Sequence, residues 1–260
     1  MVITDLDELR EIIPPNVTVG LSGLHSHIHK GHLHLAQTAR KYCFFTIGMY
    51  YANFARMIEA FCGRTVKQDH GPLPEDVAAL EQVHDVVMVW KDDYIPFEDG
   101  LWERCVAEYS DERLDKMGML ESESQVQSFR TSQAIIHTQN RFFRYDHSFS
   151  GSKDAWRVPF RQWYDEVYPG KVILIDCLRD RYGNCLSGGI ESLPDSEKRK
   201  IDRRLLLPTF RTKAEVVQHT ADIEGFEVIS FHHMPEKGTI HARFGLAGNQ
   251  WNDGCSCSES

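Results

Sequence analysis

Short apolar runs recur along the first two thirds of the chain, and stretches with helical periodicity separate them. VTVGL (17–21), CFFTIGMYY (43–51), DVVMVW (85–90) and KVILIDCL (171–178) are strand-like, rich in β-branched and aromatic residues. HLHLAQTARKY (32–42), EDVAALEQVH (75–84) and FRTSQAIIHTQNRFFRYD (129–146) read as helices. DAWRVPFRQWYDEVY (154–168) reads as a further helix, interrupted or started late by Pro159. Strands that alternate with helices, with no hairpin signals between them, imply parallel βαβ units. Apolar runs without strict alternation suit strands buried on both faces. The pattern predicts an α/β fold, with a doubly wound (Rossmann-like) parallel-sheet domain over residues 1–178. Such domains bind ligands at the carboxyl ends of their strands.

The remainder, 179–260, changes character. RDRYGNCLSGG (179–189) is a polar, glycine-rich loop. LPDSEKRKIDRRLLL (193–207) and AEVVQHTADI (214–223) read as helical, and FEVISFHHM (226–234) and TIHARFGL (239–246) as two strands of a small sheet. A smaller α+β C-terminal domain closing over the mouth of the first is expected, with a disordered tail from about Asn252.

The net charge of −9 argues against non-specific binding to nucleic acid, which needs basic patches to neutralise phosphates. No apolar run approaches the roughly 20 residues that span a bilayer, and the acidic, amphipathic MVITDLDELREII is no signal peptide. Seven scattered cysteines fit a reduced, cytoplasmic protein with buried thiols; Cys255 and Cys257 form a lone C-x-C, a weak metal signal.

The chemistry centres on His29-Lys30-Gly31-His32, between the first strand and the first helix. A helix amino end offers unpaired N–H groups and partial positive charge, so phosphates bind there. Gly31 lets a phosphate approach the backbone, and two flanking imidazoles can donate hydrogen bonds to phosphate oxygens. The competing reading is a metal site, since His25, His27, His29, His32 and His34 crowd ten positions. No carboxylate lies in that stretch to support an ion, and no metal ligand is assigned.

Gly151-Ser152-Lys153-Asp154 follows the strand-like HSFS and precedes a helix. Gly151 permits close approach of a ligand, Lys153 can reach a phosphate, and Asp154 can cap the helix or accept from a ribose. Leu186-Ser187-Gly188-Gly189 has the small residues of a loop able to close over phosphates, or of an ordinary domain connection.

In this order the clusters resemble the pantothenate synthetase (pantoate–β-alanine ligase) family of the HxGH nucleotidylyltransferase superfamily. SHIHKGHL stands where that family has M-G-x-L-H-x-G-H-L, and TIGMYYANF where it has S-I-F-V-N-P-x-Q-F. SFRTS echoes H-F-R-G, SGSKDAWR matches F-G-x-K-D-x-x-Q, and RDRYGNCLSGGI matches R-x-x-D-G-L-A-L-S-S-R-N. ARFGLAGNQWND echoes A-R-x-G-x-x-R-L-I-D-N, so the resemblance spans roughly residues 17 to 253.

The resemblance implies that His29, His32 and Lys153 contact ATP phosphates and stabilise the transition state. It implies that Gly31, Gly151, Asp154, Leu186 and Ser187 shape the nucleotide site, with Mg²⁺ accompanying ATP. It implies an acyl adenylate formed with loss of pyrophosphate, then attack by a small amine to give an amide and AMP, in a homodimer. The acid-binding positions depart: Asn53 and Arg157 replace the family's two glutamines, His25 stands in its methionine region, and Gly188–Gly189 replace the last two residues of S-S-R. Arg157, able to hold a carboxylate or phosphate in a bidentate grip, predicts a more anionic acid than pantoate. The alternatives are a nucleotidylyltransferase joining AMP or CMP to a phosphorylated acceptor, which usually carries an I-S-S-T-x-x-R-like helix start not found here, and a non-catalytic nucleotide-binding protein.

Overall fold

A computed structural model describes residues 1–25, 28–51, 73–90, 98–116, 123–152, 171–202, 204–205, 207–234 and 239–256. The described elements begin β1 (Val2–Ile3), α1 (Leu6–Ile12), β2 (Val19–His25), α2 (Lys30–Ala39), β3 (Phe45–Tyr51), α3 (Pro74–Glu81), β4 (Val86–Trp90), α4 (Leu101–Glu108), α5 (Asp111–Lys116) and α6 (Glu123–Phe142). They continue with β5 (His147–Gly151), β6 (Lys171–Ile175), α7 (Gly188–Glu191), α8 (Asp195–Lys200), α9 (Lys213–His219), β7 (Glu227–Met234), β8 (Thr239–Leu246) and β9 (Asn249–Ser256). Six strands form one sheet in the order β1-β4-β3-β2-β5-β6, and the last three form a second in the order β7-β8-β9. The pairs β1–β4, β2–β3, β3–β4 and β5–β6 are parallel, whereas β8 pairs antiparallel with both its neighbours. The expected α/β class with a smaller antiparallel sheet is the observed one. No helix among the described residues is long and apolar enough to cross a membrane.

The chain forms two compact units, interleaved in sequence. One comprises Met1–His27 and Arg40–Asp146, the other Ile28–Ala39 and His147–Ser260. In the first, Leu21 of β2, Ile47 and Met49 of β3, and Val86 and Met88 of β4 pack with Leu6 and Leu9 of α1 and Ile135 of α6. Each such aliphatic side chain contributes roughly 1.5–3 kcal/mol when fully buried. Asp5 starts α1 by accepting from the N–H groups of Asp7 (2.7 Å) and Glu8 (3.2 Å), and Pro74 opens α3, where its missing N–H costs nothing. Asp85 ties the entries of β3 and β4 together, accepting from the Thr46 N–H and hydroxyl at 2.8 Å each and from Arg40 at 3.0 Å.

In the second unit, Ile240, Ala242 and Phe244 of β8 pack with Trp251 of β9, Ile190 of α7 and Val216 of α9. Thr212 and Glu215 form a reciprocal capping box at the start of α9. β9 corrects an expectation: residues 252–256, read as a disordered tail, are a strand in register with Thr239–Arg243 of β8. Trp251 and Asp253, on one face of it, are buried, and that burial holds the strand in place despite its polar sequence.

Candidate functional site

His29 immediately precedes α2, and its carbonyl accepts the first helical bonds, from the N–H groups of His32 (2.9 Å) and Leu33 (3.2 Å). Its side chain turns back over the helix start, where Nδ1 accepts from the Gly31 N–H at 3.1 Å. His32 reaches back in turn, its Nδ1 accepting from the His29 N–H at 3.4 Å. The motif is therefore a reciprocal cap, with imidazoles in the places a Ser and a Glu occupy in a capping box. The two rings stack, with centroids 3.8 Å apart and planes 27° apart.

This arrangement fixes the chemistry of both rings. A ring nitrogen that accepts from a backbone N–H carries no proton, so in each neutral imidazole the proton sits on Nε2. Two Nε2–H donors are thereby fixed in type at the positive end of a helix, a combination suited to anionic oxygens. Gly31 is obligatory for it. A methyl at Gly31 would lie 2.9 Å from both Nδ1 and Cε1 of His29, and 3.4 Å from the Leu186 carbonyl oxygen.

That last contact belongs to the loop between β6 and α7. Arg179 and Cys185 form an antiparallel bridge, and the Leu186 N–H donates to the Leu178 carbonyl (2.8 Å), so the loop folds back on itself. Asp180 closes its tip by accepting from the N–H groups of Tyr182 and Asn184, both at 2.9 Å, around Gly183 at φ +82°. Arg179 donates to both carboxylate oxygens of the fully buried Asp253 in β9, at 3.0 and 2.9 Å, and to the Gly183 carbonyl at 2.8 Å. Burial works against the guanidinium's charge, but the Asp253 carboxylate holds Arg179 more firmly protonated than usual.

The expected site residues fall as follows. His29, Gly31, His32, Leu186 and Ser187 lie in one unit, with Leu186 against Gly31. Ser187 is buried and caps α7, accepting from the Ile190 N–H at 3.3 Å. Gly151 ends β5 opposite Ile175, and the next residue, the buried Ser152, accepts from the Cys177 N–H at 3.3 Å, which knits the carboxyl ends of β5 and β6. His25 is the last residue of β2, in register with Tyr51. Lys153, Asp154, Arg157 and Asn53, with the helix expected over 154–168, lie outside the described residues.

The two glycines after Ser187 differ. A side chain at Gly188 would enter open space, whereas one at Gly189 would collide with the Gln250 carbonyl and come within 3.2 Å of Trp251 Cβ. Gly189 thus seats α7 on β9, and no longer side chain fits there without moving that strand. Sequence reasoning gave Arg179 and Asp253 no role, although both stand inside matched motifs. Their opposite charges were the only signal, and a separation of 74 residues hides such a pairing.

A parallel sheet with helices, followed by a small antiparallel sheet and with a doubly capped His-x-Gly-His start to α2, defines the class of this α/β fold. More particularly, the fold is that of the pantothenate synthetases. A pantoate–β-alanine ligase of Francisella tularensis, complexed with βγ-ATP and β-alanine, superposes with a TM-score of 0.72 at 14% identity, over 100% of this chain and 98% of that one. Two structures of the Thermus thermophilus pantothenate synthetase give TM-scores of 0.72 and 0.73 at 17% and 16% identity, each over 98% of this chain and 99% of the other. No protein-family model and no curated protein sequence matches the chain.

Proposed function

We propose that the chain is an ATP-dependent, AMP-forming amide ligase. The observation that carries this reading is the reciprocal cap of His29 and His32, which sets two Nε2–H donors at the start of α2. Such donors stabilise charge on the α-phosphate region as a carboxylate attacks. A carboxylate is already ionised near neutral pH, so the first step needs alignment and charge neutralisation rather than a general base. The carboxylate oxygen bonds to the α-phosphorus, the bond to the bridging oxygen breaks, and pyrophosphate leaves with that electron pair. An uncharged amine then attacks the acyl carbon, expels AMP and loses a proton, giving the amide.

Lys153 would add a point charge on the phosphates, and Asp154 and Gly151 would meet the ribose. A helix start with imidazole donors and no carboxylate between His25 and His34 suits a polyphosphate, and Mg²⁺ would be held by the phosphate oxygens themselves. Asn53, Arg157 and His25 would shape the acid pocket. A cytoplasmic homodimer acting on a small carboxylic acid and a small amine completes the proposal, with pantoate plus β-alanine or a more anionic acid as the pair.

The test is pyrophosphate release from MgATP across a panel of small carboxylic acids, pantoate included, with and without β-alanine. Acid-dependent pyrophosphate, followed by AMP and an amide once the amine is added, is the expected result. Transfer of AMP or CMP to a phosphorylated acceptor would make the chain a nucleotidylyltransferase instead. ATP binding without turnover on any acid and amine pair would make it a binding protein.

A further inference from the structure

The loop between β6 and α7 is fastened to β9 at both ends. At its start Arg179 grips Asp253 with two parallel hydrogen bonds, and at its end Gly189 lies directly against Gln250 and Trp251. Between these fastenings stand Leu186, whose carbonyl faces Gly31, and Ser187. The Asp180 turn and the Arg179–Cys185 bridge leave the intervening chain little freedom to move alone.

We propose that Arg179 and Asp253 are positioning residues of the nucleotide site: their pair sets the Leu186–Ser187 turn against the His29–His32 helix start, and makes β9 a working part of the phosphate grip. This rests on the nucleotide reading above. Apolar packing alone holds a loop to a sheet as firmly as a buried ion pair does, and often more so. What a bidentate Arg–carboxylate pair adds is direction, because two parallel bonds fix an angle as well as a distance. Arg179 uses this twice, donating from the same nitrogen to Asp253 and to the Gly183 carbonyl, so β9 and the loop tip share one rigid plane. A lysine would keep the charge but turn the joint into a pivot.

The experiment uses the full chain and two variants, Asp253→Asn and Arg179→Lys. Amide hydrogen exchange is followed without nucleotide, and dissociation constants are measured for ATP and for adenosine. Both variants are expected to keep the protection of β7 and β8 and lose it across residues 178–191. ATP binding is expected to weaken at least about tenfold, with adenosine binding unchanged, since a misplaced turn costs contacts to phosphate only. Unchanged exchange in 178–191, unchanged ATP affinity, or loss of protection spread evenly through β7–β9 would each overturn the proposal. Should the unaltered protein bind no ATP, the nucleotide reading falls, and the exchange pattern alone decides whether the pair orients the turn.

Discussion

His29 and His84 are both lodged against a glycine, and they are used in opposite ways. A methyl at Gly31 would lie 2.9 Å from His29 Nδ1, and a methyl at Gly48 would lie 2.9 Å from His84 Nδ1. Both rings are buried. At His29 the backbone offers an N–H, so Nδ1 accepts and the proton is on Nε2. At His84 the Leu80 carbonyl lies 3.3 Å from Nδ1; a carbonyl only accepts, so here Nδ1 holds the proton. The Nε2 of His84 is then a buried acceptor, with no partner among the described residues. A histidine against a glycine is therefore not in itself a site. Which ring nitrogen the backbone claims decides whether the imidazole is a donor at a helix start or an inert part of a core.

The largest effect that tests this contrast is at Gly31. Gly31→Ala should push the His29 ring out of its cap and lower ATP-dependent pyrophosphate release about 100-fold, the scale of a misplaced catalytic contact. Alanine gains about 1 kcal/mol over glycine in a helix, which offsets much of the lost cap, so the melting temperature should change far less than the activity. A fully active Gly31→Ala protein would break the comparison.

Acid separates the two histidines next. Burial, with Arg40 nearby, pushes His84 down to about 4, against pulls from the Leu80 carbonyl and Asp85. The unfolded chain, with an ordinary imidazole near 6.5, binds more protons than the folded one between those values. The stability from a neutral His84 is thus complete above about pH 6.5 and is lost as pH falls toward 4. From pH 7 to 5 the loss should be on the order of 2 kcal/mol in urea unfolding, and markedly smaller in His84→Gln. Equal slopes for the two proteins would show that His84 does not set this dependence.

Gly48→Ala and Gly189→Ala should each cost about 1–3 kcal/mol by overpacking, read by urea unfolding, without a direct effect on the His29 cap. Tolerance at either position would show that its neighbour yields. The smallest effect belongs to Gly188→Ser, which should change stability by no more than about 0.5 kcal/mol, because nothing lies within reach of the new side chain.

What could be read from the sequence follows the range of the interactions. The cap of His29, Gly31 and His32 is written within four residues, and the apolar runs of β2, β3, β4 and β6 announce buried parallel strands. α4 and α5 went unread, since α4 spans only eight residues and α5 has a single apolar one, Leu114. β1 was missed because two residues make no pattern, although Ile3 is buried and Val2 pairs with Val87. β9 was missed because its inward positions, Trp251 and Asp253, include a charge that makes sense only beside Arg179. The glycine pair after Ser187 looked like one flexible unit, yet only Gly189 is fixed by a neighbour, a carbonyl some 61 positions along the chain.

The pairing of Arg179 with Asp253 also has a consequence in time. A ribosome adding about 5–20 residues per second needs roughly 4–15 s to travel from one to the other. For that interval the helix start of α2 is complete in sequence, while the loop beside it has no anchor. The placing of Leu186 against Gly31 can be finished only after β9 has emerged and been zipped onto β8, which makes this corner among the last features of the nascent chain to mature.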